Sequence, residues 1–98
     1  MKIVNVAVCN GRHDIPQAMD GAVFKQTISE MNPEKLYNSA RKRFVGDYKL
    51  TRGDIINLYV TGFTMATLAI VKVCKDLQIE IICYHFDRET GTYIAQVM

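Results

Sequence analysis

The sequence contains no hydrophobic run long enough to cross a membrane, since a membrane-spanning helix needs about 20 consecutive apolar residues. It also contains no internal repeat, no low-complexity segment and no linker. Met1 and Lys2 lead directly into a predicted strand, so we expect no signal peptide. These absences predict a single cytoplasmic domain spanning residues 1–98, with no membrane partner.

Cysteine is scarce and odd in number, which argues against a disulfide framework. Cys9, Cys74 and Cys83 are widely spaced, and each lies within an apolar run. We expect three reduced thiols in the core of a cytosolic protein, rather than disulfides or a zinc site.

Familiar catalytic motifs are missing. There is no Ser-His-Asp pattern with a nucleophile elbow, no HExxH, no CxxC and no Walker loop. The net charge of +2 is mildly basic and does not indicate a long nucleic acid as partner. The motifs predict no metal site, and they leave any cofactor unknown.

The stretch from Ile55 to Asp76 organises the rest of the chain. Residues 55–60 are β-branched and aromatic, which predicts a buried strand, and residues 65–76 are apolar on almost every side, which predicts a buried helix. We expect nearly complete burial of inner-strand and helix side chains: Val6, Val8, Leu58, Val60, Leu68, Val71, Ile81 and Cys83.

A tight turn, Thr61-Gly62-Phe63-Thr64, joins this strand to this helix. Gly62 would permit a sharp turn and the close approach of a ligand, and Thr64 is a good N-cap. The positive end of a helix dipole can hold an anion. The turn is equally well explained as a capped connection with no ligand.

The remaining elements follow from periodicity and turn signals. Residues 2–9 and 22–28 predict two strands joined as a hairpin, and Asn32-Pro33-Glu34 predicts a helix start with a buried stripe at Leu36, Ala40 and Phe44. Residues 79–86 and 92–97 predict two strands around a turn at residues 87–91, in which Gly91 takes the left-handed position.

The predicted fold class is therefore α/β. It is a small Rossmann-like mixed sheet in the order β-β-α-β-α-β-β, with one parallel crossover and antiparallel hairpins at both termini. Ligands of such sheets bind beyond the carboxyl ends of parallel strands. Polar residues follow three strands of this chain, at residues 10–13, 61–64 and 85–88, and would meet at one edge if those strands run parallel.

This convergence defines the candidate site. Arg12 suits phosphate because its planar fork donates two bonds, and His13 with Asp87 would form an acid–base pair there. The candidate catalytic residues are His13 and Asp87, and the candidate ligand-binding residues are Asn10, Gly11, Arg12, His13, Thr61, Gly62, Phe63, Thr64 and Arg88. The same residues also have structural explanations that involve no ligand. These are a solvated loop at residues 12–13, an inner-face histidine at His85 and a charged hairpin tip at residues 87–89.

The order of elements and the pattern at residues 55–96 resemble the compact type III CRISPR-associated ring nuclease family. Asp87, Gly91 and Gln96 lie where that family has its motif Asp, hairpin Gly and last-strand Gln, and Gly62 matches a Gly at the start of the long helix. The family's catalytic His lies near the end of that helix, where this chain has residues 76–78, Asp-Leu-Gln. The departure bears on cleavage more than on binding. The chain also resembles, more loosely, Rossmann-like sensor and sponge domains for cyclic nucleotides.

These resemblances imply a protein that binds a cyclic oligonucleotide or related nucleotide second messenger, and that sequesters it in a prokaryotic or phage defence or anti-defence pathway. A ring nuclease that cleaves cyclic oligoadenylate is one alternative, and a non-catalytic protein-interaction module is another. We also expect a homo-oligomer, built partly from the apolar edge at residues 92–98, because such edges are normally covered or paired.

Overall fold

The computed structural model describes residues 1–9, 15–24 and 32–98. Five strands form one sheet, and two helices lie against it. The strands are β1 (Ile3–Cys9), β2 (Ala22–Phe24), β3 (Ile55–Tyr59), β4 (Glu80–Asp87) and β5 (Thr92–Val97), and the helices are α1 (Pro33–Lys42) and α2 (Thr64–Leu77). A π-helical turn, Arg43–Asp47, extends α1.

The sheet is mixed, in the spatial order β2-β1-β3-β4-β5. Strands β2, β1, β3 and β4 run parallel, and β5 pairs antiparallel with β4. The predicted small Rossmann-like α/β class and the C-terminal hairpin are thus confirmed.

The predicted N-terminal hairpin is wrong, because β1 and β2 are parallel. The pairing begins before β2: the Asp20 N–H donates to the Asn5 carbonyl oxygen and the Ala7 N–H donates to the Gly21 carbonyl oxygen, each at 2.9 Å, so the chain enters β2 in the direction of β1. Of the strand predicted at residues 22–28, residues 22–24 form β2, and the remainder lies outside the described residues.

Both helices lie on the same face of the sheet and pack against each other. The crossovers through α1 and α2 step in the same direction across the sheet, and right-handed crossovers that do so place their helices on one side. The core fills the space between these layers, and its largest fully buried side chains include Phe44, Ile56, Leu58 and Ile70.

Helix α1 starts as its sequence predicts. The Asn32 side chain accepts bonds from the N–H groups of Glu34 and Lys35 at 3.0 and 3.2 Å, and proline occupies the first helical position. The predicted stripe of Leu36, Ala40 and Phe44 is buried.

Helix α2 is not buried on all sides. Leu68 is 61% exposed, which corrects its predicted burial, and Val60 and Val71 are only half-buried. The sheet covers one side of α2 and α1 covers a flank, so the outer stripe faces solvent. The other predicted core residues, including Cys83, are buried, and so is Cys74, whereas Cys9 is only half-buried.

The end of the sheet where the parallel strands begin is held by a buried carboxylate. Asp54 accepts bonds from the backbone N–H groups of Lys2 at 2.9 Å and Thr51 at 2.8 Å. These bonds, with that of Lys2 the larger contribution, hold the pKa of Asp54 below its ordinary value of 3.8. Asp54 therefore stabilises the start of β3 at the end opposite the candidate site.

Candidate functional site

The candidate site lies at the carboxyl ends of the parallel strands. The condition for the predicted convergence is met, because β1, β3 and β4 run parallel, and the three are neighbours with β3 in the middle. The Cys9 thiol at the end of β1 lies 3.6 Å from the Thr61 hydroxyl, which follows β3. The first two of the three predicted strand ends therefore meet, and we call this edge of the sheet the rim.

The N-terminus of α2 opens onto the rim. The N-cap is Phe63, and no side-chain capping bond forms there among the described residues. The predicted capping role of Thr64 is therefore wrong, because Thr64 is already the first helical residue. Thr67 turns its hydroxyl back onto the Phe63 carbonyl oxygen at 3.1 Å.

This helix end is electropositive. The first backbone N–H groups of a helix have no partners within it, and the aligned peptide dipoles add a partial positive charge. The first turn of α2 contains no acidic residue, whereas that of α1 contains Glu34. Of the two helix ends at the rim, that of α2 is the more suitable for an anion.

Gly62 leaves open space at the rim, although its backbone does not require a glycine. Its φ lies outside the left-handed range, and an added Cβ would meet no atom within 4 Å of the described chain. The turn that the sequence permits at Gly62 therefore does not depend on a glycine conformation. Among the described residues, space for a ligand is present beside Gly62.

The last residue of β4 forms hydrogen bonds within its own hairpin turn. The carboxylate of Asp87 accepts bonds from the Glu89 N–H and the Thr90 hydroxyl, both at 3.1 Å, and Gly91 closes the turn with φ +69°. The predicted left-handed Gly91 is confirmed. Asp87 thus has a structural role in the turn, and the structure provides it with no described catalytic partner.

His85 lies on the helix side of the sheet, as its alternation with Cys83 predicts, but it is exposed there rather than buried. Its Nε2 lies 2.8 Å from the Gln96 side-chain oxygen across the hairpin. The helices stop short of this part of β4, which is why a residue on the helix side of the sheet remains in solvent. The last described β3–β4 pair is Tyr59 with Tyr84, so Arg88 lies roughly 13 Å beyond it at about 3.3 Å per residue.

The structure brings four predicted ligand-binding residues together at one turn: Thr61, Gly62, Phe63 and Thr64. It places Arg88 in the neighbouring hairpin, farther from the sheet. The predictions for Asn10, Gly11, Arg12 and His13 lie outside the described residues. Whether a His13–Asp87 pair forms therefore stays a prediction.

A cluster of four aromatic rings lies on the face of the sheet opposite the helices, close to the rim. Tyr59 stacks on Tyr84 with ring centroids 4.9 Å apart, and Tyr93 lies edge-on to Tyr59 at 5.0 Å and to Phe86 at 5.3 Å. Burial raises the pKa of the Tyr59 phenol, and the neighbouring phenols of Tyr84 and Tyr93 add to this effect. We call these four residues the aromatic cluster.

The aromatic cluster borders a depression of about 360 Å³ that is also lined by Gln17, Gly91 and Thr92. The sequence analysis missed it. The sequence pattern that could have revealed it is the alternation of Tyr84 with Phe86 in β4. In β5, Tyr93 lies directly opposite Phe86. Recognising it needed the order of the strands, which shows that both helices cover the other face.

Three further features of the described chain bear on the site. A groove of about 860 Å³ runs between the helices from their N-termini, lined mainly by apolar side chains including Met65, Leu68 and Ala69. Residues 1–9, 15–24 and 32–98 contain no group of three His, Cys, Asp or Glu able to hold a metal ion. Nor does that part of the chain contain a helix long and apolar enough to cross a membrane.

No family model matches this chain, and comparison with curated proteins and with solved structures gave no match. The candidate site is therefore defined by its own geometry: a helix end that no described side chain caps, space beside Gly62 among the described residues, and aromatic rings on the face of the sheet opposite the helices.

Proposed function

We propose that this protein binds a nucleotide-type anion at the rim, with a cyclic oligonucleotide second messenger as the leading candidate. The observation that carries the proposal is the α2 N-terminus, which lacks a side-chain cap among the described residues and begins beside the joined ends of β1 and β3. Helix N-termini bind phosphate through backbone N–H groups and the dipole. Arg12, predicted at the same edge from the sequence, would add a charge-assisted bond.

Binding, rather than cleavage, is the activity that we propose. Asp87 is held in its hairpin turn, and residues 76–78 do not provide the histidine that the ring nuclease resemblance implies. A protein that holds a signalling nucleotide without opening it would sequester that signal in a defence or anti-defence pathway. Its two buried thiols, Cys74 and Cys83, fit the reducing environment of the cytoplasm.

A second copy of the chain would complete the binding surface. Strand β5 is an edge strand with no charge, proline or glycine, and Ile94 and Val97 on it are exposed. Natural proteins protect such edges or pair them. We propose an antiparallel β5–β5 pairing about a two-fold axis, which is the commonest form of homo-oligomer.

The same exposed edge supports the alternative of a protein-interaction module, in which β5 pairs with another protein by strand addition. This reading requires no ligand at the rim, so ligand retention separates it from nucleotide binding.

Incubation with cyclic oligoadenylates, followed by removal of unbound ligand, heat denaturation and chromatography of the released nucleotide, tests the proposal. Recovery of intact cyclic nucleotide is the expected result. Recovery of linear product would instead establish a ring nuclease, and no retention of any nucleotide would favour the interaction module.

A further inference from the structure

We propose that the depression beside the aromatic cluster is a subsite for a nucleobase, occupied when the phosphates of the same ligand bind at the rim. The inference rests on the proposed function and specifies which surface recognises the base. It is drawn from four observations: the orientation of the aromatic rings, the lack of charge among the described lining residues, the Gln17 amide at the depression, and the position of the depression beside the strand ends.

The rings offer a stacking surface of suitable orientation. Tyr93 stands nearly perpendicular to Tyr59, with an interplanar angle of 88°, and at 66° to Phe86. Phe86 is 54% exposed, so part of its surface is accessible to a ligand. Every nucleobase has a flat π-face that stacks on such rings.

The depression suits a neutral planar group rather than an ion. Its described lining residues carry no formal charge at neutral pH: Gln17, Tyr59, Tyr84, Phe86, Gly91, Thr92 and Tyr93. Its volume of about 360 Å³ lies in the range of small-molecule sites. The Gln17 amide can both donate and accept a hydrogen bond, as the edge of a base requires.

The position links the depression to the rim. Tyr59 is the last residue of β3 and lies two positions before Thr61, whose hydroxyl contacts Cys9. Phe86 lies two positions before Arg88 on the neighbouring strand. A phosphate at the α2 end and a base against the rings would therefore occupy opposite sides of the same strand ends.

The test compares adenosine 5′-monophosphate with ribose 5-phosphate, which carries the same phosphate and sugar but no base. Isothermal titration of the wild-type protein is expected to show tighter binding of the nucleotide. Stacking on one aromatic side chain corresponds to about a 5- to 150-fold effect. Phe86→Ala should reduce nucleotide affinity by that factor and leave ribose 5-phosphate binding unchanged.

Val45→Ala is the matched control, because Val45 is similarly exposed, at 49%, but lies in the π-helical turn after α1, outside both the hairpin and the proposed dimer edge. It should leave both affinities unchanged. Phe86→Leu keeps an apolar side chain against Tyr93 without a π-face, so it should lose nucleotide affinity while retaining the wild-type circular dichroism spectrum.

The outcomes separate the two proposals. If both probes bind and Phe86→Ala preserves the preference for the nucleotide, the base subsite is refuted while phosphate binding at the rim stands. If the wild-type protein binds neither these probes nor cyclic oligoadenylate, the function and the subsite are both refuted.

Discussion

Replacing Ile70 and Leu68 separately by alanine tests the placement of α2 against the sheet. The two residues are two positions apart in one helix, but Ile70 is fully buried and Leu68 is 61% exposed. Ile70→Ala removes three carbon atoms from the core, which costs about 2.4 kcal/mol at about 0.8 kcal/mol per buried methylene. The resulting cavity adds to this cost, so we expect a total of about 2–5 kcal/mol. Leu68→Ala should change the free energy of unfolding by less than about 0.5 kcal/mol, as is usual at the surface.

Urea denaturation followed by circular dichroism measures both variants. The Ile70→Ala midpoint should fall clearly with an unchanged slope, and its melting temperature should fall by at least about 8 °C, at about 4 °C or more per kcal/mol for a domain of this size. Equal destabilisation by the two substitutions would refute the placement of α2, because it would require Leu68 to be buried as well.

Three further predictions follow from other parts of the structure. Asp54→Asn should destabilise the protein at neutral pH. Because backbone bonds lower the pKa of Asp54 below 3.8, its contribution is present above that pH and is lost as the pH falls further, so urea titrations should show the variant and the wild type converging in acid. Burial raises the pKa of Cys74 to about 12. A thiol reagent should therefore modify half-buried Cys9 first and should reach Cys74 only after unfolding. Rapid labelling of all three thiols in the native state would contradict this. Light scattering should detect a dimer that Ile94→Lys converts to a monomer, whereas a wild-type mass of 11.1 kDa at high concentration would count against pairing through β5.

The features that could be predicted from the sequence are those specified by neighbouring residues. Asn32 and Pro33 start α1 through bonds within one helical turn, and Gly91 fixes the C-terminal hairpin through its own backbone conformation. The apolar stripe of Leu36, Ala40 and Phe44 identifies the buried side of α1 and its π-helical extension without knowledge of the sheet.

The errors arose where the outcome depends on strand order. Alternation at residues 22–24 identifies a strand but contains no information on its direction, so the parallel pairing of β1 with β2 was not predictable from that pattern. The exposed stripe of α2 and the uncovered aromatic cluster both follow from two crossovers in the same direction, which place the helices on one face.

Arg43 shows the same limit at a single side chain. A basic run such as residues 41–43 is typical of a solvated helix face, yet the Arg43 guanidinium donates to the Ala22 carbonyl oxygen at 3.1 Å and pairs with Asp47 at 2.7 Å. The bond to β2 joins residues that are distant in sequence, and no local pattern predicts it.

Nucleotide binding at the rim is tested most directly by titrating cyclic oligoadenylate into Gly62→Val and Gly46→Val in parallel with the wild type. Both glycines are exposed, and an added Cβ at either meets no described atom within 4 Å, so both variants should fold. Gly62 lies at the rim. Gly46 lies in the π-helical turn that follows the C-terminus of α1, whereas the N-terminus of α1 is the end near the rim. We predict that Gly62→Val weakens binding at least tenfold by blocking access to the α2 N-terminus, and that Gly46→Val binds as the wild type does. Absence of binding by the wild type, or unchanged affinity in a folded Gly62→Val protein, would contradict a ligand site at this edge of the sheet.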